Sequence, residues 1–116
     1  MLKRAAILVA LLCSLTSHVQ ASALHGFTVI NVPAGDRLNV RAGPGTGHKV
    51  QAAYRNGAVL SLTGKCTTLM LDDLAGMDAT RKHRHIRSVW CEVWHDPKGD
   101  GRFSTGWAKG RFLYPH

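Results

Sequence analysis

The chain has 116 residues, 15 Lys and Arg against 7 Asp and Glu, a formal charge of +8 at pH 7 and three cysteines. That length leaves room for one small domain with a modest core, and excludes an appended enzyme domain within this chain. The excess of basic groups directs attention to anionic partners, and no apolar run reaches the roughly 18 residues that a membrane-spanning helix needs.

Lys3 and Arg4 form a short basic start, followed by the unbroken apolar run Ala5 to Leu12 and then by Ser14, Thr16 and Ser17. Val19-Gln20-Ala21 and Ala21-Ser22-Ala23 both offer small residues for cleavage. This layout is that of a secretory signal peptide over 1–23, cut after Ala21 or Ala23. Cys13 follows Leu12 rather than a small residue and belongs to the discarded segment. Loss of Lys3 and Arg4 takes the charge from +8 to +6. The expectation is an exported, periplasmic or secreted domain over 24–116, not an integral membrane protein.

Phe27 to Val32 is rich in β-branched residues and reads as the first strand. Pro33-Ala34-Gly35-Asp36 is a turn. In Leu38-Asn39-Val40-Arg41 apolar and polar residues alternate, the period-two pattern of a half-buried strand, and Gly43-Pro44-Gly45 then stops it. His48 to Tyr54 and Ala58 to Thr63 are two more strands, with the hairpin signal Asn56-Gly57 between them. Val89 to Trp94, Gly106 to Lys109 and Phe112 to Tyr114 complete the set. Short strands with frequent turn residues predict a mostly β fold, a small and partly open barrel.

The motif Leu38-Asn39-Val40-Arg41-Ala42-Gly43-Pro44-Gly45 resembles the opening of the bacterial SH3-like (SH3b) domains. Val50 fits the family's next apolar position, Gly57 and Val59 are similar to its G-x-x-V hairpin, and Trp90-Cys91-Glu92-Val93 to its W-x-x-V strand. Gly106-Trp107-Ala108 resembles the closing G-W-V turn, with Phe112-Leu113 where Tyr-Leu is usual. The resemblance implies an SH3-like barrel and recognition of cell-wall peptide or of a protein partner. It departs from the family at the glycine-rich loop after Trp94 and at an insertion of about 67–88.

Cys66 and Cys91 are the cysteines that survive export. One disulfide is their simplest use in an oxidising compartment, and closing a loop of that size contributes about 3–4 kcal/mol. The rival readings are a catalytic thiol and a metal site. A metal site wants closely spaced ligand pairs, which neither cysteine has, and no spacing selects a histidine as the base for a thiol.

Within the insertion, Leu69 to Met77 is apolar enough to pack, and Leu71 and Leu74 fall at helical spacing, so a short helix or turn acting as a lid is expected there. Arg81-Lys82-His83-Arg84-His85-Ile86-Arg87 is the densest charge in the chain, either a solvated loop or an anion-binding patch. His83 and His85 would share one side if the segment were a strand, but the flanking arginines repel a metal cation. Asp96-Pro97-Lys98-Gly99-Asp100-Gly101 lacks the ligand pattern of a calcium loop and reads as a turn. Gly43 to Gly47 lacks the Lys-Ser/Thr pair of a phosphate loop, and no serine stands in a nucleophile context.

Trp107 resembles the structural tryptophan of the SH3b family, which implies a place in the core. Trp94 and Tyr54 are the aromatics available to stack on a ligand. The expected protein is therefore a non-catalytic binding module without cofactor or metal. Its ligand side is Tyr54, Arg81, Lys82, Arg84, Arg87 and Trp94, and its partner a wall peptide or glycan or an acidic envelope protein, not nucleic acid. A small secreted hydrolase subunit or inhibitor, and a structural or envelope-stress protein, are the alternatives.

Overall fold

The computed structural model describes residues 25–116; the signal segment expected over 1–23 and its expected cleavage sites lie outside the described residues. Eight strands are present: β1 His25–Val29, β2 Leu38–Arg41, β3 Val50–Tyr54, β4 Val59–Cys66, β5 Leu69–Met70, β6 Trp90–His95, β7 Ser104–Lys109 and β8 Leu113–Pro115. They form one antiparallel sheet in the order β3-β2-β7-β6-β4-β1-β8, with β5 folded back on β4. The two ends of that order, β3 and β8, do not pair with each other, so the barrel is open.

Alternation builds the core. Leu38 and Val40 of β2, Leu60 and Leu62 of β4, and Cys91 and Val93 of β6 all point inward, joined by Phe27, Val29, Ala108 and Leu113. Asn56 fixes the β3–β4 hairpin: its side chain accepts from the Val32 amide at 3.0 Å and donates to the Val32 carbonyl at 2.9 Å, tying the hairpin to the chain after β1.

The sheet curls sharply at its β3 end. Strands β3 and β6 are three places apart in the sheet, about 14 Å if it were flat. Yet the Tyr54 hydroxyl lies 2.8 Å from His95 Nδ1, and Gln51 Oε1 lies 3.0 Å from His95 Nε2. Gly106 makes this approach possible: a Cβ there would stand 2.5 Å from both Gln51 Oε1 and Val40 Cγ1.

The insertion leaves at Cys66 and returns at Cys91, and these two residues are directly paired in the β4–β6 ladder and disulfide-bonded. Its apolar stripe does face the core, with Leu71, Leu74 and Ile86 buried. The short helical turn expected near Leu71 and Leu74 is present, and a second, longer helix follows it where a loop or charged patch was expected. Leu71–Leu74 is a single 3-10 turn, and the α-helix, α1, is Ala79–Ile86, the basic segment itself. Asp78 caps α1 by accepting from the Arg81 amide at 2.8 Å, and the cations in its last turn suit the negative end of the helix dipole.

Helix α1 covers the β8 edge. His83 Nδ1 donates to the Leu113 carbonyl at 2.9 Å, and the Thr80 and Tyr114 hydroxyls share a 2.8 Å hydrogen bond. An uncovered edge strand would offer unpaired backbone groups to other chains. Among the described residues no helix is long and apolar enough to cross a membrane.

Candidate functional site

The residues expected to form a single ligand side occupy four separate places. Arg81, Arg84 and Arg87 recur at every third position and form an exposed stripe along α1 and its C-cap. Lys82 departs from that stripe. It is half-buried and lines a small cleft with Asp72, Ala75 and His116. Tyr54 is half-buried at the inner side of β3, engaged with His95. Trp94, by contrast, projects from the outer face of β6, between inward-pointing Val93 and His95, and is 43% exposed. Tyr54 and Trp94 therefore lie on opposite faces of the sheet and do not stack on one ligand.

His83 and His85 lie on a helix rather than a strand, and His83 is held by the Leu113 carbonyl. The Asp96 segment is a turn, as read: the Asp96 carboxylate accepts from the Asp100 amide at 3.1 Å and the Gly101 amide at 2.7 Å. The disulfide consumes both Cys66 and Cys91, so neither supplies a thiolate nucleophile.

His95 is the one buried polar side chain among the described residues, 1% exposed. Its Nε2 faces the acceptor Gln51 Oε1, so that nitrogen carries the proton and Nδ1 accepts from the Tyr54 hydroxyl. Burial holds the imidazole pKa below its usual value, and the Asp96 carboxylate acts against this. Burial and then Asp96 push the Tyr54 hydroxyl upward. Both groups are neutral at pH 7, and each is spent on the other. This cluster locks the curl of β3 over β6.

The arrangement best suited to bind something was not among the sequence-derived candidates. A groove of about 240 Å³ runs between the start of β2 and the 3-10 turn Gly110–Phe112. Four cations line it, Arg37, Arg41, Lys109 and Arg111, against the single carboxylate of Asp36, and Trp90 forms one wall. Arg41 is anchored. Its Nη1 donates to the carbonyls of Thr46 and His48, both at 3.0 Å, which also pins the Gly-Pro-Gly loop. Lys109 is paired across the ladder with Trp90, its ammonium 5.7 Å from the ring centroid, and Arg111 lies 5.1 Å from the Phe112 ring. Arg37 and Arg111 are exposed at the rim of the groove.

Trp107 also departs from expectation. Its neighbours Gly106 and Ala108 are buried, but Trp107 itself points outward and is half-buried beneath Lys65, whose ammonium is 6.0 Å from the ring. All three tryptophans thus lie on the outer face of the β6–β7 pair. Alternation signalled which residues of β2 and β6 face outward. The meeting of Arg37, Arg41, Lys109 and Arg111 depends on the β2–β7–β6 register and left no mark in local sequence.

Among the described residues no group of three or more His, Cys, Asp or Glu side chains is placed to hold a metal ion. No family model, no curated protein and no solved structure matches the chain.

Proposed function

We propose that this protein is an exported, non-catalytic binding module of the SH3b type, acting in the periplasm or outside the cell, that recognises an anionic component of the cell wall or an acidic envelope protein. The groove carries this reading. Four cations against one carboxylate around a tryptophan wall form a concave site suited to an anionic ligand with an apolar part. The exposed arginines of α1 add a long-range field that steers anionic surfaces toward the molecule. The disulfide supports an oxidising compartment. It also weighs against the hydrolase alternative in its thiol form.

Co-sedimentation with purified peptidoglycan sacculi, at low and then rising salt, tests the reading. The protein is expected in the pellet at low salt and in the supernatant as salt screens the groove. Protein that stays in the supernatant at low salt removes the wall as its ligand. An Arg37→Ala/Arg111→Ala variant that pellets as well as the parent removes the groove.

A further inference from the structure

We infer that the outer face of β4, β6 and β7 is a platform for a linear acidic polysaccharide, with sugar rings on its tryptophans and the anionic groups on its lysines. The inference deepens the wall-binding reading above by naming the ligand class and adding a surface beyond the groove.

The platform is a register effect. Trp90 and Trp94 are four residues apart on one strand, about 13 Å by strand rise. Trp107 lies opposite Glu92, midway between them on the neighbouring strand. Trp94 pairs with Thr105 on one side and Ser61 on the other, small residues that leave its ring uncovered. Trp94 is the exposed ring, while Trp90 and Trp107 are half-buried beneath Lys109 and Lys65; a ligand that engages all three must move those ammonium groups aside and span more than one sugar ring.

Cations are interleaved with the rings. Lys65 stands over Trp107 and Lys109 over Trp90, and Arg41 is opposite Trp107. Glu92 is the acid among them; it accepts from the Thr63 hydroxyl at 3.0 Å but keeps its charge, which Lys65, Lys109 and Arg41 outnumber three to one. Trp90, Lys109 and Arg41 also line the groove, so platform and groove are continuous.

The backbone excludes one peptide mode, strand addition; a peptide lying across the rings by side-chain contact alone is a competing occupant, which the oligoglutamate arm of the test below separates from a sugar. Peptides commonly bind by adding a strand to an unpaired edge. Here β6 is paired on both sides by β4 and β7, and β7 by β6 and β2. Recognition at this face rests on side chains alone, flat apolar rings and point charges, which match the apolar faces and acidic substituents of a polyuronide-like chain. Bases of single-stranded nucleic acid also stack on such rings, but the disulfide favours a compartment outside the cytosol.

Tryptophan fluorescence titrations at low salt test the inference with four probes: oligogalacturonate, cello-oligosaccharide, oligoglutamate and oligothymidylate. Oligogalacturonate is expected to bind at least about tenfold more tightly than each of the others, and Trp94→Ala to weaken it about tenfold, the loss typical of an aromatic anchor. Trp94 is exposed, so this variant retains the fold, which a far-UV spectrum verifies. Lys65→Gln/Lys109→Gln is expected to flatten the salt dependence. Oligoglutamate binding equal to oligogalacturonate reduces the face to bare charge and overturns the inference. Tighter oligothymidylate binding overturns it in favour of nucleic acid, and an unaltered Trp94→Ala titration removes the platform. Sacculi that pellet parent and Trp94→Ala alike sink the platform and leave the wall reading standing. Oligogalacturonate binding without sacculus binding does the reverse.

Discussion

Cys66 stands directly opposite Cys91 in the β4–β6 ladder, their Cα atoms 4.0 Å apart and their sulfurs joined. The excursion between them delivers Leu71, Leu74 and Ile86 to the core and lays α1 over the β8 edge. The bond sits where both feet of that excursion leave the sheet, so it removes chain entropy from the unfolded state at the point where the insertion adds most of it.

Reduction is therefore expected to destabilise the fold by about 3–4 kcal/mol, the loop-closure term for residues 25 apart. That is a large share of a small domain's stability. Urea unfolding with and without dithiothreitol measures it, and Cys66→Ala/Cys91→Ala should match the reduced protein. An unshifted midpoint would mean that the ladder alone holds the excursion.

Gly110 is where the insertion docks. Its amide donates to the Val89 carbonyl at 2.8 Å, and an added Cβ would collide with the carbonyl oxygen and carbon of Ile86 at the end of α1. Both obstacles are backbone and cannot rotate away. Gly110→Ala is expected to cost about 2–3 kcal/mol, the upper part of the overpacking range, and to lower the thermal midpoint by several degrees. Gly106→Ala should also be destabilising: Gln51 can swing aside at the loss of its hydrogen bond to His95, but Cγ1 of the fully buried Val40, also 2.5 Å from an added Cβ, cannot leave the core.

Much of the scaffold was legible because its cause is local. Alternation marked β2, Asn56-Gly57 marked the hairpin, and the Cys66–Cys91 pair followed from count and compartment. The helix was not legible. Only Ile86 is fully buried in α1, with Lys82 and His83 half-buried, so the segment carries almost no apolar period; it is helical because Asp78 caps it and β8 receives it. The apolar stripe at Leu69 to Met77 tightened into one 3-10 turn, bounded by positive φ at Thr68 (65°) and Gly76 (91°). The resemblance implied a core Trp107, but alternation along β7 turns the small Gly106 and Ala108 inward and leaves the large side chain outside.

Acid should loosen the β3 end. His95 has its pKa lowered by burial, so between its folded and unfolded values the unfolded chain binds the extra proton. Stability then rises with pH across that window and falls as pH drops below the ordinary histidine range near 6.5. Protonation would also put a second N–H on Nδ1, where the Tyr54 hydroxyl would have to turn from donor to acceptor. Unfolding midpoints at pH 7 and pH 5 should differ, and His95→Gln should shrink the difference while lowering stability at pH 7. An identical pH dependence in both proteins would place the acid sensitivity elsewhere.

The groove and the helix stripe make separable contributions to binding. Arg37 and Arg111 face a concave site beside Trp90, where water is partly excluded and a charge-assisted hydrogen bond is strong. Arg84 and Arg87 lie on an open helix face, where solvent screens each charge and the main effect is on encounter rate. In sacculus retention, Arg37→Ala/Arg111→Ala is expected to lower affinity by about a hundredfold, the lower end of what two charged hydrogen bonds at about 1.5–3 kcal/mol each supply. Arg84→Ala/Arg87→Ala removes the same charge, so it should lower the salt dependence similarly but cost only about two- to threefold, chiefly in association rate. Stopped-flow association with a labelled anionic glycan separates the two. A helix variant that loses most of its affinity through faster dissociation would move the ligand from the groove to α1.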